Sequence, residues 1–164
     1  MSNLYNFQDF AEDCYVFNEI AGKDQQYSWN DLESQYKLIA EETNEILEGL
    51  DNRDIVEVLD GAVDVLVVTL GLLQKLQAAG VDVDHALAIT AENNISKFVT
   101  YDSTAKATVE MYSRLGVDSK AEYNEKYRKY VIKDSNDKVR KPIGFISNNL
   151  ECCIPTALKE GGLV

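Results

Sequence analysis

Residues 54–76 read DIVEVLDGAVDVLVVTLGLLQKL, and most of what the sequence predicts about the fold follows from them. Its valines, leucines and isoleucine occupy almost every side of a helix, which is typical of a helix buried nearly all round. Three acids interrupt the apolar pattern, namely Glu57, Asp60 and Asp64. Because each helical residue advances about 100°, these three lie within roughly 60° of one another. The stretch therefore predicts a long apolar helix that carries one acidic stripe.

A second acidic stripe lies earlier in the chain. Residues 41–45 read EETNE, and on a helix their acids fall within roughly 100° of one another: Glu41, Glu42 and Glu45. The short polar turn 51–54 predicts that the two helices are antiparallel neighbours. With about 1.5 Å of rise per residue counted from that turn, Glu45 is level with Asp60. The two acidic stripes are therefore predicted to face each other.

Facing carboxylates in apolar surroundings indicate a metal site. A buried carboxylate must be paired or must bind a cation, because desolvation otherwise favours its protonation. No Lys or Arg lies between Arg53 and Lys75 to provide a local pair. Oxygen ligands without His or Cys suit a hard cation, Mg²⁺ or Mn²⁺. A single acidic pair would be ordinary surface charge, whereas six acids on two stripes favour metal binding.

The composition excludes several classes of protein. The chain has 164 residues, which suits one domain or one domain with a tail, and its net charge is −12. That charge predicts no nucleic-acid binding, although bound metal ions would attract phosphates. The N-terminus MSNLYNFQDF lacks signal-peptide features, and acids interrupt the most apolar helix, so no membrane association is expected. The three cysteines fit no disulfide framework, and we expect a cytoplasmic protein.

The rest of the chain predicts an all-α fold, a bundle of four to six helices with an irregular C-terminal tail. Helices are expected at 7–21, from Ser28 or Asn30 to near Gly49, and from a cap at Asp82 or Asp84. Residues 103–130 predict one or two further helices. From residue 133 the helical period is lost, so we divide the chain into a helical domain, 1–132, and a tail, 133–164, packed on the body or on a partner subunit.

Two further features bear on the site. The all-round apolar helix is hard to bury in a small bundle, which predicts oligomerisation through the bundle as a homodimer or homotetramer. Thr90, Asn94 and Lys97 share a helix face, with Asn93 beside them. This is either a plain polar surface or, if metal-bound phosphates lie opposite, a set of phosphate ligands in which Lys97 supplies the positive charge.

The acidic segments also resemble a known family. Residues 41–45 match EExxE and residues 57–60 match ExxD, which together resemble the signature of the all-α nucleoside triphosphate pyrophosphohydrolases. This superfamily includes MazG-like enzymes, phosphoribosyl-ATP pyrophosphohydrolases and dimeric dUTPases. Looser similarity to phage-type MazG-like proteins extends over further segments: Val16–Asn18 with Gly22, Asp60–Asp64 followed by Val67–Gly71, Asn94–Lys97 and Lys138–Pro142. The spacer between Glu45 and Glu57 is short for the family.

The resemblance implies Mg²⁺-dependent cleavage of a nucleoside triphosphate into a monophosphate and pyrophosphate. It places the metal on Glu42, Glu45, Glu57 and Asp60, with either Asp60 or Asp64 completing the site. Glu41 is then the candidate to orient or deprotonate the attacking water. Lys97 and Asn94 would bind phosphate oxygens, and Asn18 would contact the base. The alternatives are a phosphoribosyl-ATP pyrophosphohydrolase-like enzyme and a non-enzymatic acidic helical interaction protein.

Overall fold

A computed structural model describes residues 5–163, so the first four residues of the N-terminal segment and the last residue of the predicted tail lie outside the described residues. The described chain is mostly helical, as predicted. Its elements are α1 (Phe7–Ile20), α2 (Trp29–Asn52), α3 (Ile55–Ala78), α4 (Val83–Ile95), α5 (Asp102–Arg114), β1 (Ser119–Asn124), β2 (Lys129–Asp134), a 3₁₀ turn (Leu150–Cys153) and α6 (Thr156–Gly161).

The chain divides into two compact units. One contains the described residues up to Val83 together with those from Cys152 onward, and the other contains Asp84–Glu151. The predicted domain boundary at residues 132 and 133 stays a prediction. In the part of the chain that the structure describes, no helix is long and apolar enough to cross a membrane.

Helix α1 ends, and helix α2 begins, at the signals expected from the sequence. Asn6 caps α1 through a capping box with Asp9, and the left-handed Gly22 (φ 66°) follows its end. Ser28, the first of the two predicted caps, begins α2 through a capping box with Asp31. These local interactions fix where α1 and α2 start relative to the loop between them.

The turn between α2 and α3 is tighter than the sequence predicted. Helix α2 continues past Gly49 to Asn52, and Arg53 then reverses the chain in a left-handed conformation (φ 56°). The side chain of Asp54 accepts hydrogen bonds from the amides of Val56 and Glu57, at 2.9 and 3.3 Å, and so caps α3. Two residues therefore make the reversal, and the short spacer of the sequence is accommodated.

Glycines allow α2 and α3 to pack closely along the first unit. A Cβ atom on Gly61 of α3 would lie 3.0 Å from Cγ1 of Ile46 and 3.3 Å from the carbonyl oxygen of Glu42. Gly49 of α2 meets the backbone of α3 in the same way. Side chains flanking these glycines are consequently held opposite one another.

The expectation that α3 is buried nearly all round is wrong for the single chain. Its buried residues are Gly61, Gly71, Gln74 and Lys75. Large apolar side chains stay exposed on its N-terminal half, including Ile55 (76 % exposed) and Leu59 (64 %). Among the described elements of this unit, only α1 and α2 pack on α3, and two helices cannot cover every side of a third.

The second unit contains a β-hairpin that the sequence did not predict. Residues 103–130 were expected to be helical, but α5 ends at Arg114 and β1 pairs antiparallel with β2, so that Tyr123 lies opposite Tyr130. Helix α5 packs on the hairpin, and their core includes the fully buried Ala105, Thr108 and Ile132. The amide of Ile143 donates to Oγ1 of Thr108 at 3.0 Å, which holds part of the following segment on α5.

Candidate metal centre

The two acidic stripes meet around Glu42. Burial and then the negative charges of four neighbouring acids raise the pKa of Glu42 above its ordinary value, in the order Glu45, Asp64, Glu41 and Asp60. The effect requires these carboxylates to lie near one another, because Coulombic repulsion falls with distance and with screening. The structure thus brings together five of the six predicted acids, and both Asp60 and Asp64 lie near Glu42.

Glu57 lies closer to the α2–α3 turn than the other acids of its stripe. It is half-buried, and its carbonyl carbon would lie 3.2 Å from a Cβ atom on Gly49. We call the six carboxylates of the two facing stripes the acidic seam. Glu57 lies at its end nearest the turn, about 4.5 Å of helix rise from Asp60.

The acids are more exposed than the sequence argument assumed. Glu42, Glu57 and Asp64 are half-buried, whereas Glu41, Glu45 and Asp60 are exposed. Between residues 5 and 163, no three of these acids each place a carboxylate oxygen within 4.8 Å of the other two. A bound cation would therefore relieve two costs: the mutual repulsion of the carboxylates and their desolvation, which is partial rather than complete.

The donor set nonetheless fits a hard divalent cation. Within the described chain, no Lys or Arg forms an ion pair with any of the six acids. All six offer carboxylate oxygens, the ligands that Mg²⁺ and Mn²⁺ prefer. Rotation of side chains that are half-buried or exposed could bring several of these oxygens onto one ion.

Helices α1 and α2 converge over Gly71, which lies two turns beyond Asp64 on the same side of α3. A Cβ atom on Gly71 would be 2.9 Å from Nε2 of Gln35 and 3.3 Å from Nδ2 of Asn18. Asn18, predicted to contact a base, is therefore in the same unit as the acids and lies against the same helix. The acidic stripe of α3 and Gly71 therefore lie on the same side of α3, and this side is bordered by α1 and α2.

Gln35 also lies against this side of α3, and it was not predicted from the sequence as a site residue. It is buried, and its Nε2 donates to the carbonyl oxygen of Val68 at 2.8 Å. The available signal was its spacing of seven residues from Glu42, which puts both side chains on one face of α2.

The two predicted phosphate ligands of α4 lie in the second unit. Nζ of Lys97 donates to Oδ1 of Asn94 at 2.8 Å, so the structure brings these two together. Lys97 is not on the helix as predicted, because α4 ends at Ile95 and Lys97 lies in the turn that follows. Asn93 instead donates to the carbonyl oxygen of Ile146 at 2.7 Å, in the segment after β2.

Comparison with known families finds a match for the part of the chain that carries the acidic stripes. Residues 16–94 match the family model for phosphoribosyl-ATP pyrophosphohydrolase. Residues 16–94 are a domain of the all-α nucleoside triphosphate pyrophosphohydrolase superfamily. This MazG-like domain includes all six acids, Asn18 and Asn94, whereas Lys97 and the β-hairpin lie beyond it.

The family assignment supports a nucleotide pyrophosphohydrolase activity. Neither the curated proteins nor the solved structures contain a significant match to the chain. The superfamily resemblance drawn from EExxE and ExxD is confirmed by the family match. The assignment of roles to individual acids stays a prediction.

Proposed function

We propose that the protein is a Mg²⁺-dependent nucleoside triphosphate pyrophosphohydrolase that converts a (d)NTP and water to a (d)NMP and pyrophosphate. The observation that carries the proposal is the gathering of four carboxylates around Glu42 inside a domain of this superfamily. In the reaction a water oxygen bonds to the α-phosphorus while the bond from that phosphorus to the α–β bridging oxygen breaks. The electron pair leaves with pyrophosphate.

The acidic seam would hold the metal. Its proposed ligands are Glu42, Glu45, Glu57 and Asp60, with Asp64 as the alternative or additional acid. Bound Mg²⁺, or Mn²⁺ in its place, would neutralise the triphosphate and lower the pKa of a bound water. Glu41 is exposed beside this group and is the proposed residue that orients the water or accepts its proton.

The remaining predicted contacts concern the substrate. Lys97 would bind phosphate oxygens through its ammonium group, and Asn94, already its hydrogen-bond partner, would add an amide donor. Asn18 would contact the nucleoside end of the substrate from α1. Its place at Gly71, beyond the acidic stripe, is consistent with that order along the substrate.

The decisive experiment measures pyrophosphate release from a panel of ordinary and damaged (d)NTPs with Mg²⁺, for the wild type and for Glu45→Gln. Loss of a metal ligand should lower kcat/KM by about a hundredfold or more, because charge stabilisation in the transition state is lost. Glu33→Gln, an exposed acid of the same helix outside the seam, is the matched control and should keep full activity. Undiminished activity of Glu45→Gln would rule out this site.

A phosphoribosyl-ATP pyrophosphohydrolase is the second candidate, favoured by the family model that residues 16–94 match. It would use the same metal site and break the same bond in a bulkier substrate. Adding phosphoribosyl-ATP to the panel separates the two, because the better substrate has the higher kcat/KM. A non-enzymatic interaction protein would release no pyrophosphate from any of them.

We further propose that the protein is a homodimer or homotetramer joined through the helical bundle, working in the cytoplasm. Exposed apolar side chains follow the outer side of α2 and α3, which supports this: Leu47, Leu50, Ile55, Val56, Leu59 and Leu66. Leu59→Glu should shift the mass measured by light scattering toward that of a monomer, whereas Glu33→Gln should not. A wild-type mass of one chain would contradict the proposal.

A further inference from the structure

We propose that a small aromatic cavity between α1 and α3 binds the nucleobase of the substrate, and that Asp13 makes it select bases carrying an amino group. This inference rests on the proposed function, since it names the part of the substrate that the acidic seam does not bind. It adds a specificity-determining residue that neither EExxE nor ExxD contains.

The cavity has the lining of a site for a flat, partly apolar group. Its volume is about 280 Å³, and it is lined by Tyr5, Phe10, Asp13, Cys14, Phe17 and Val67. Three of these residues are aromatic, and nucleobases stack on aromatic side chains. Of the lining residues, Cys14 is buried, while Phe17 is 60 % exposed. The volume is near the lower end for ligand pockets, which suits a single base rather than a large ligand.

The cavity also lies where the proposed substrate requires it. Val67 follows Asp64 by three residues on α3, which places it about 4.5 Å further along the helix and within about 60° of the acidic stripe. Phe17 directly precedes Asn18, which lies against Gly71 of the same helix. A nucleotide whose phosphates lie at the acids would therefore extend its base along α3 toward α1.

Asp13 gives the cavity its selectivity. Its Oδ2 accepts a hydrogen bond from the Tyr5 hydroxyl at 2.8 Å, which orients the carboxylate and raises the pKa of Tyr5. An ionised carboxylate can only accept hydrogen bonds. An amino group on the base would donate to it, whereas a carbonyl oxygen at the same position would be repelled.

The test compares dCTP with dUTP. At C4 of the base, dCTP carries an amino group and dUTP carries a carbonyl oxygen. We expect the wild type to favour dCTP by about tenfold or more in kcat/KM, as expected where a charged hydrogen bond is made to one substrate alone. Asp13→Asn, whose amide can donate to a carbonyl, should abolish or reverse that ratio. Glu19→Gln, an acid of α1 that does not line the cavity, should leave it unchanged.

A second measurement separates this inference from the proposed reaction. Calorimetric titration with dCMP and dUMP, without metal, reports base selection independently of hydrolysis. A dCMP preference that disappears in Asp13→Asn would support the subsite even if no triphosphate were hydrolysed, in which case the proposed function alone would fail. Equal binding and equal hydrolysis of the two bases by the wild type, or a ratio unmoved by Asp13→Asn, would overturn the inference.

Discussion

Gly49 of α2 lies against the amide of Val58 on α3, so closely that a Cβ atom on Gly49 would be 2.8 Å from the nitrogen of Val58 and 3.0 Å from its Cγ2. The glycine is fully inside α2, which continues to Asn52, and its φ is that of an ordinary helix. It is therefore required for close helix packing and not for a turn. That packing sets the separation of the two acidic stripes one turn away.

Gly49→Ala should destabilise the protein. The new methyl group would meet backbone atoms of α3, which cannot rotate away, and overpacking of this kind costs about 1–3 kcal/mol. Alanine is favoured over glycine inside a helix by about 0.5–1 kcal/mol, which offsets only part of that cost. Urea denaturation measures the difference. Gly161→Ala, with open space around its Cβ position, is the control, and a Gly49→Ala protein as stable as the wild type would contradict the packing argument.

Mg²⁺ should stabilise the wild-type protein against heat. Binding only to the folded state adds about 2.7 kcal/mol at a concentration one hundred times the Kd, and here it would also relieve the repulsion around Glu42. Thermal unfolding with and without MgCl₂ should show a higher Tm for the wild type and a much smaller shift for Glu42→Gln. NaCl at matched ionic strength controls for screening, and an equal shift with NaCl would argue against a bound ion.

The sequence predicted the first unit well because its signals are local. The stop at Gly22, the cap at Ser28 and the 3.6-residue period of α1 to α3 act within a few residues of one another. The facing of the acidic stripes followed from the short turn alone. Gly49 was taken for a helix end because its true role, contact with Val58, depends on a neighbouring helix that the local pattern does not contain.

The second unit was predicted less well because its structure depends on pairing between separate segments. Tyr123, Tyr127 and Tyr130 have helical spacing, yet Tyr123 and Tyr130 pair across a hairpin with ring centroids 4.7 Å apart. In the site, the burial of the acids was overestimated, because α3 was taken to be covered on all sides. Gln35 was missed because a lone amide on a helix carries little signal.

Lys75→Met should loosen the loop between α1 and α2. Lys75 is 5 % exposed, and its Nζ donates to the carbonyl oxygens of Lys23 and Gln26 at 3.1 and 3.2 Å. Desolvation lowers the pKa of Lys75, while the nearby Asp31 acts in the opposite direction. Removing the ammonium leaves both carbonyls without this donor, at a cost of about 1–3 kcal/mol.

Hydrogen exchange of the amides in residues 23–27 checks the effect of Lys75→Met. Exchange should become faster there than in the wild type, because the loop loses its attachment to α3. Lys37→Met, an exposed lysine of α2, removes the same charge and should leave the loop unchanged. Identical protection in the two variants would mean that Lys75 does not hold the loop.

Asp134 should make the stability of the second unit depend on acid pH. It is 5 % exposed, accepts from the amides of Asn136 and Lys138 at 2.9 and 3.0 Å, and pairs with Nη2 of Arg140 at 2.5 Å. Burial alone would raise the pKa of Asp134, but these donors outweigh it and hold the pKa below its ordinary 3.8. Folding therefore favours the ionised form.

The direction of the pH effect follows from that lowered pKa. The stabilisation is fully present above the unfolded pKa of about 3.8 and is lost as the pH falls through the lower pKa of the folded state. Thermal unfolding followed by circular dichroism from pH 7 to pH 2 should show that Asp134→Asn lowers the Tm most at pH 7. The difference in Tm between Asp134→Asn and the wild type should become smaller toward pH 2, because the wild-type carboxylate becomes protonated there. Asp118→Asn changes an exposed acid of the same unit and should have the Tm of the wild type at every pH. A difference in Tm that stays constant with pH for Asp134→Asn would mean that folding does not preferentially stabilise the ionised form of Asp134.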